Sequence, residues 1–205
     1  AMAVDALLKL TNINRHYGAI QALNGANFEI RRGEVMGLVG ENGAGKSTMV
    51  KIISAFDTGF SGEYFYDGAV RNFSSPTAAE LVGIAIAQQE LSLIKTMTVA
   101  ENIFLAGDGV PQLASKGYLA KKAKPFLKEV GLDHIDPLRT INRLSVGEQH
   151  LVEVARLIAH NPQVLILDEP TAALGETDSM RILEMVSRLK KAGKSVIYVS
   201  HRMDE

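Results

Sequence analysis

The chain has 205 residues, 46% of them apolar, and a formal net charge of -1, which suffices for one sizeable core and favours a single domain with room for a small subdomain. Its charges are interspersed, so no basic stripe marks a nucleic-acid binder and no polybasic segment marks a membrane surface. With no cysteine it has no disulfide framework, thiolate metal site or cysteine nucleophile, and no run approaches the roughly 18 apolar residues of a membrane span.

Ala1 ahead of Met2 reads as an expression remnant outside the fold. Ala6 to Arg15, Phe28 to Ile30 and Glu34 to Val39 read as strands, which makes the front third β-rich. Lys46 to Ala55 reads as a helix opened by a glycine-rich turn. Asp67-Gly68, between Glu63 to Tyr66 and Ala69 to Phe73, has the composition of a tight hairpin turn. Ile84 to Ala87, Val164 to Leu167 and Val196 to Ser200 are short, nearly continuous apolar runs, the pattern of parallel strands covered on both faces. Helical patterns at Val99 to Leu105, Leu119 to Val130 and Val146 to His160, separated by loops rich in glycine and proline, predict a helical subdomain over about 92–160 inserted into an α/β core. The sequence stops at Glu205, shortly after a predicted core strand and without a closing element, so the chain reads as a fragment of something longer.

Val35-Met36-Gly37-Leu38-Val39 leads into Gly40-Glu41-Asn42-Gly43-Ala44-Gly45-Lys46-Ser47-Thr48, the pattern G-x-x-x-x-G-K-[ST] between a strand and a helix. Glycines let such a loop wrap closely around phosphates while backbone N–H groups and the helix N-terminus supply donors. Lys46 adds a point charge, and the Ser47 hydroxyl is a candidate Mg²⁺ ligand. Asp168 and Glu169 close a second apolar strand, at the end where open α/β sheets bind ligands. Adjacent carboxylates there repel one another, so a cation or a proton is expected between them. Asp168 is assigned to the Mg²⁺ shell and Glu169 to orienting an attacking water, since phosphoryl transfer needs chiefly positioning and charge stabilisation.

Leu144-Ser145-Val146-Gly147-Glu148-Gln149, upstream of that strand and opening a helix, resembles the signature motif of ATP-binding-cassette (ABC) ATPases. Ser145-x-x-Glu148 alone is a helix capping box; its place in the order of motifs carries the resemblance. The likeness covers essentially the whole chain, residues 4–205. It implies a P-loop NTPase (RecA-like) α/β core with a mostly parallel sheet, an N-terminal antiparallel β subdomain and the inserted helical subdomain. It also implies that Tyr17 stacks on adenine, that Gln89 senses Mg²⁺, that Ala172-Ala173-Leu174-Gly175 is the D-loop and that His201 is the switch histidine.

The resemblance further implies a mechanism that needs two domains paired head to tail, with Ser145, Val146, Gly147 and Glu148 facing the ATP held by Lys46 of the other domain. Gln89-Glu90-Leu91-Ser92-Leu93, Thr98 to Leu105 and Tyr198 to Glu205 are most similar to the N-terminal ATPase half of bacterial monosaccharide importers, whose polypeptide carries two such domains in tandem. Membrane permease subunits, and indirectly a sugar-binding protein, are then the partners, at the cytoplasmic face of the bacterial inner membrane. Val146 and Gly175 depart from the usual glycine and aspartate, changes also met in that branch. A non-transport ABC ATPase acting on a nucleic-acid assembly, or an ATP-binding half with little turnover of its own, are the alternatives; the near-neutral charge speaks against the first.

Overall fold

The computed structural model describes residues 6–40, 45–88, 90–105, 114–171 and 174–200. Strands β1 (Ala6–Tyr17), β2 (Ile20–Arg31), β4 (Ser61–Tyr66) and β5 (Ala69–Val70) form an antiparallel sheet in the order β2-β1-β4-β5. Strands β3 (Val35–Val39), β6 (Ile84–Ala87), β7 (Val164–Asp168) and β8 (Ser195–Ser200) form a parallel sheet in the order β3-β8-β7-β6. Helices α1 (Lys46–Ile53), α2 (Pro76–Leu81), α3 (Val99–Ile103), α4 (Lys116–Glu129), α5 (Val146–Ala159) and α6 (Glu176–Lys191) complete the described regular structure, with one turn of 3-10 helix at Ile141–Arg143. The fold is thus α/β, with the antiparallel β layer, the parallel core sheet and the helices after β6 that the sequence led us to expect.

Strands β6, β7 and β8 look continuously apolar because both of their faces are buried in different cores, whereas β3 lies at the edge of the sheet and is only partly buried. Ile84, Val164, Ile166, Ile197 and Val199 pack with α1 and the antiparallel sheet. Their neighbours Ala85, Leu165, Leu167, Val196 and Tyr198 pack with helices α3 to α6. Successive strand side chains alternate between faces, so the two sets belong to opposite sides of one sheet, and neither side has a use for polar residues. The sheet is therefore clamped between two apolar layers, which fixes the positions of its strand ends.

The hairpin turn forms as its composition requires: Asp67 and Gly68 both have positive φ (49° and 82°), the pair of angles demanded by a type I′ turn. Strand β2 runs much longer than its apolar stretch, because Asn24 to Asn27 are held by β1 through irregular pairing, with Asn14 Oδ1 accepting from the Gly25 N–H at 2.8 Å. Helices α2 and α6 were not anticipated, although both carry start signals. Ser75 caps α2 ahead of Pro76, and α6 has Glu176 and Asp178 in its first turn and Arg188, Lys190 and Lys191 in its last.

Candidate functional site

Register places the ends of all four parallel strands along one edge. Val39 is level with Ser200, Asp168 with Val199, and Ala87 with Leu167. The segments that follow these strands, namely the glycine-rich loop after β3, Asp168-Glu169 at the end of β7, Gln88 to Glu90 after β6, and the residues after Ser200, all begin at that carboxyl edge, where open α/β sheets bind ligands. The motifs come together because parallel strands share a polarity and their crossovers all return to the same side.

Helix α1 begins at the glycine-rich loop with an N-terminus suited to an anion. Its N-cap, Gly45, has φ 88° and offers no side-chain cap, and its first turn contains no acid. A Cβ at Gly45 would approach Leu23 Cδ2 to 2.7 Å and the Ala22 carbonyl to 3.1 Å, so only glycine lets the turn press against β2. Lys46 is buried, and its ammonium donates to the Gly40 carbonyl across the loop. Ser47 is exposed at the start of the helix and Thr48 is half-buried beside it. Glu41, Asn42, Gly43 and Ala44 lie outside the described residues, as do Gln89, Ala172, Ala173 and His201.

Asp168 and Glu169 leave the sheet by different backbone paths. Asp168 is still in register with Val199, whereas Glu169 has φ 46°, left-handed for a residue with a side chain, while its N–H donates to the Val199 carbonyl at 2.9 Å. Such conformations cost free energy and concentrate where function needs them. A cleft of about 370 Å³ is lined by Ser47, Lys51, Gln88, Glu90 and Asp168, so the helix hydroxyl and the strand carboxylate face a common space. Lys51 was not singled out from the sequence, although its spacing of one helical turn from Ser47 puts both on the same face of α1.

Burial first, and then the charge of Glu169, raise the Asp168 carboxyl above the ordinary carboxylate range, against a smaller lowering effect of Lys51. The native group thus keeps its proton to higher pH than the unfolded chain does, and the ligand-free fold loses stability as pH rises from the ordinary carboxylate range through the raised native value. Asp168→Asn is therefore expected to melt at a higher temperature than the parent near neutral pH without nucleotide, and the gap should close in acid. Thermal denaturation at the two pH values measures it; an unchanged or lower melting temperature near neutrality would show that the carboxylate is not penalised.

The second motif forms a separate feature. Ser145 caps α5, accepting from the Glu148 N–H at 3.1 Å while its own N–H donates to Glu148 Oε2 at 2.8 Å. The Ser145 hydroxyl acts there as an acceptor and retains its proton for donation. Val146 is about half exposed, and the Gly147 N–H donates to Asp178 Oδ2 of α6 at 3.2 Å. A Cβ at Gly147 would collide with that carboxylate, which explains glycine here from within the domain. Asp178 had no sequence signal, because the contact depends on how α5 and α6 pack. None of Ser145, Val146, Gly147 or Glu148 lines the cleft between Ser47 and Asp168.

Tyr17 ends β1, paired with Ile20, and Ile20 stands two residues from the Ala22 against which Gly45 packs. The backbone at the end of β1 is thereby placed near the part of β2 that the base of the glycine-rich loop touches. Its hydroxyl donates to Asp57, and the Arg15 guanidinium lies 4.3 Å from its ring centroid.

Residues 23–172 match the ABC transporter family. The chain is similar to the ribose import ATP-binding proteins of Caldanaerobacter subterraneus subsp. tengcongensis, at 40% identity over 98% of the chain, and of a Ruegeria species, at 41% over 100%. It spans about 40% of the length of these relatives: 41% of the first and 40% of the second. Among solved structures it is similar to an ATP-binding cassette of an ABC transporter in its ADP conformation, with a TM-score of 0.84 and 28% identity, covering 97% of this chain and 82% of that one. A dimeric bacterial ABC transporter cassette gives a TM-score of 0.78 at 29% identity, with 96% and 89% covered. With the phosphate-cradle sequence, the strand-end acids and the capped α5 on one α/β frame, the match makes the chain a member of the ABC transporter family.

Proposed function

We propose that this chain is the ATP-binding domain of an ABC importer of a monosaccharide, and that it binds and hydrolyses ATP at an interface between two such domains. The carrying observation is the shared carboxyl edge, at which the segment that follows Val39, the acids Asp168 and Glu169, and the segment that follows Ala87 all begin. The names of the ribose import relatives support the importer reading, and the dimeric cassette supports pairing.

In this reading the loop from Gly40 to Gly45, the N-terminus of α1 and Lys46 hold the phosphates, with Tyr17 stacking on adenine. Ser47 and Asp168 fit an Mg²⁺ ion: a hydroxyl and a carboxylate of raised pKa share one cleft, and a hard cation relieves the charge that burial disfavours. The ion supplies charge neutralisation on the transferring phosphoryl group. Glu169 orients the attacking water, His201 contacts the γ-phosphate, and Gln89 links the metal shell to the helices after β6. The exposed start of α5, which does not line the domain's own cleft, is free to face the nucleotide of a second domain with its dipole and the Ser145 hydroxyl. Permease subunits and an external sugar-binding protein complete the machine at the cytoplasmic face of the bacterial inner membrane.

The deciding measurement is steady-state hydrolysis of MgATP against protein concentration. A rate per mole that rises with concentration supports a composite site. A rate per mole that stays constant down to concentrations at which size-exclusion chromatography with MgATP shows only monomer assigns the whole reaction to one domain, and absence of ATP binding overturns the reading.

A further inference from the structure

Three groups converge on one carboxylate outside the cleft. Asp57, on the segment after α1, is buried, with a side chain 9% exposed. Its Oδ2 accepts from Arg15 Nε at 2.8 Å and from the Tyr17 hydroxyl, and its Oδ1 accepts from the Gly59 N–H at 3.0 Å. Burial by itself would raise this carboxyl, yet the bonds from Arg15, Tyr17 and Gly59 hold it below the ordinary carboxylate range. The group is thus a fixed anion whose bonds tie the end of β1 to the end of α1.

The same cluster gives Tyr17 two unlike faces. The Arg15 guanidinium lies over one face, 4.3 Å from the centroid, and a second bond from Nη1 to the His16 carbonyl at 2.9 Å keeps it there. Gly59 lies close against the guanidinium, where a Cβ would come within 3.0 to 3.1 Å of Arg15 Nη1, Cζ and Nη2, so backbone as well as ring confines the cation. Tyr17 is nevertheless 42% exposed, and with one face covered, that exposure belongs to the other face and the ring edge. An exposed tyrosine ordinarily samples several rotamers and gives up that freedom when a ligand stacks on it. Here the hydroxyl is tethered and one face is closed before any ligand arrives.

We propose that Arg15 and Asp57 are positioning residues that hold Tyr17 as a one-faced platform for the nucleotide base, and so set the part of the affinity that depends on the base. The inference rests on the reading that Tyr17 stacks on adenine. It assigns roles to two residues that make no phosphate contact in that reading, and it separates base recognition from the cradle. Aromatic stacking of a base carries a substantial free energy, and pre-organising the ring preserves it.

The test compares binding of ATP and of inorganic tripolyphosphate by calorimetry to the parent domain and to Tyr17→Phe, Asp57→Asn, the double variant and Tyr17→Ala. Tyr17→Phe keeps the stacking face and loses only the tether, and its surface position keeps it informative should Asp57→Asn fold poorly. Tyr17→Phe and Asp57→Asn are each expected to weaken ATP by about 3- to 10-fold, with the double variant weakened by clearly less than the product of the two, because both disturb the Tyr17–Asp57 bond while Asp57→Asn also loses the charge that holds Arg15. Tripolyphosphate, which has no base, should bind all of them equally. Parental ATP affinity in Tyr17→Phe alongside a weakened Tyr17→Ala overturns the tether while the stacking role stands. Unchanged affinity in Tyr17→Ala overturns stacking and tether together. Parallel losses for ATP and tripolyphosphate, or additive effects in the double variant, also overturn the proposal, since they locate the damage in the cradle or in independent contacts.

Discussion

Glu169→Gln is expected to lower ATP turnover by about 10²- to 10⁴-fold, the range typical of losing a positioned proton-handling group, while ATP still binds. Glutamine matches glutamate in shape and carries a hydrogen-bonding side chain, and it accepts the left-handed φ of 46° at the same cost, so the backbone bond from residue 169 to Val199 survives. What is lost is the negative charge that, in the proposed function, orients and polarises water. Removing that charge also eases the repulsion on Asp168, whose raised carboxyl owes part of its shift to Glu169. In the proposed two-domain cycle the variant should therefore accumulate as an ATP-dependent dimer, since formation of the pair needs binding and its dissolution needs hydrolysis. Phosphate release and size-exclusion chromatography with and without MgATP give the two readouts. Turnover within a few-fold of the parent would remove Glu169 from the catalytic role.

The second large effect concerns affinity. Lys46→Ala should weaken ATP binding by about 2–4 kcal/mol, or roughly 30- to 1000-fold, the usual cost of truncating one partner of a buried charge pair. The size follows from burial: the Lys46 side chain is largely out of water, so its attraction to a phosphate is screened far less than that of a surface lysine. The substitution falls at the first residue of α1, where alanine is a good helix former, and circular dichroism should show a folded domain. Titration with a fluorescent ATP analogue, and with tripolyphosphate, measures the loss. In the proposed site Lys46 acts on phosphate and Tyr17 on the base, so Lys46→Ala should weaken both ligands. An unaffected tripolyphosphate affinity would contradict its place in the cradle.

The helices and strands at the site were legible to different degrees. The Gly40 to Thr48 pattern, the acids after Val164 to Leu167 and the capping box at Ser145 are local signals, complete within nine residues or fewer; among the described residues, α1 begins at Lys46, Asp168 ends β7 and Ser145 caps α5. Helix α6 could have been read, since Ile182, Met185 and Leu189 repeat at helical spacing between acidic and basic ends. Helix α2, with its six residues, offers a cap and a proline but is too short to display a period. The full length of β2 was hidden because Asn24 to Asn27 belong to the strand by pairing with β1 and not by composition.

By itself the sequence determined the covered parallel strands, the start of α1 after a glycine-rich turn, the strand-end acids and the start of α5, because each depends on residues close together in the chain and on periodicities that a short segment carries whole. Tertiary structure alone decided the strand order β3-β8-β7-β6, which brings four distant segments to one edge. It alone set Asp178 against Gly147, joined Arg15 and Tyr17 to Asp57 some 40 residues away, and closed the cleft between Ser47 and Asp168. Side-chain pairing at such separation leaves no periodic trace in the chain, since it is fixed only when the two apolar cores pack the sheet between them and bring the partners within reach.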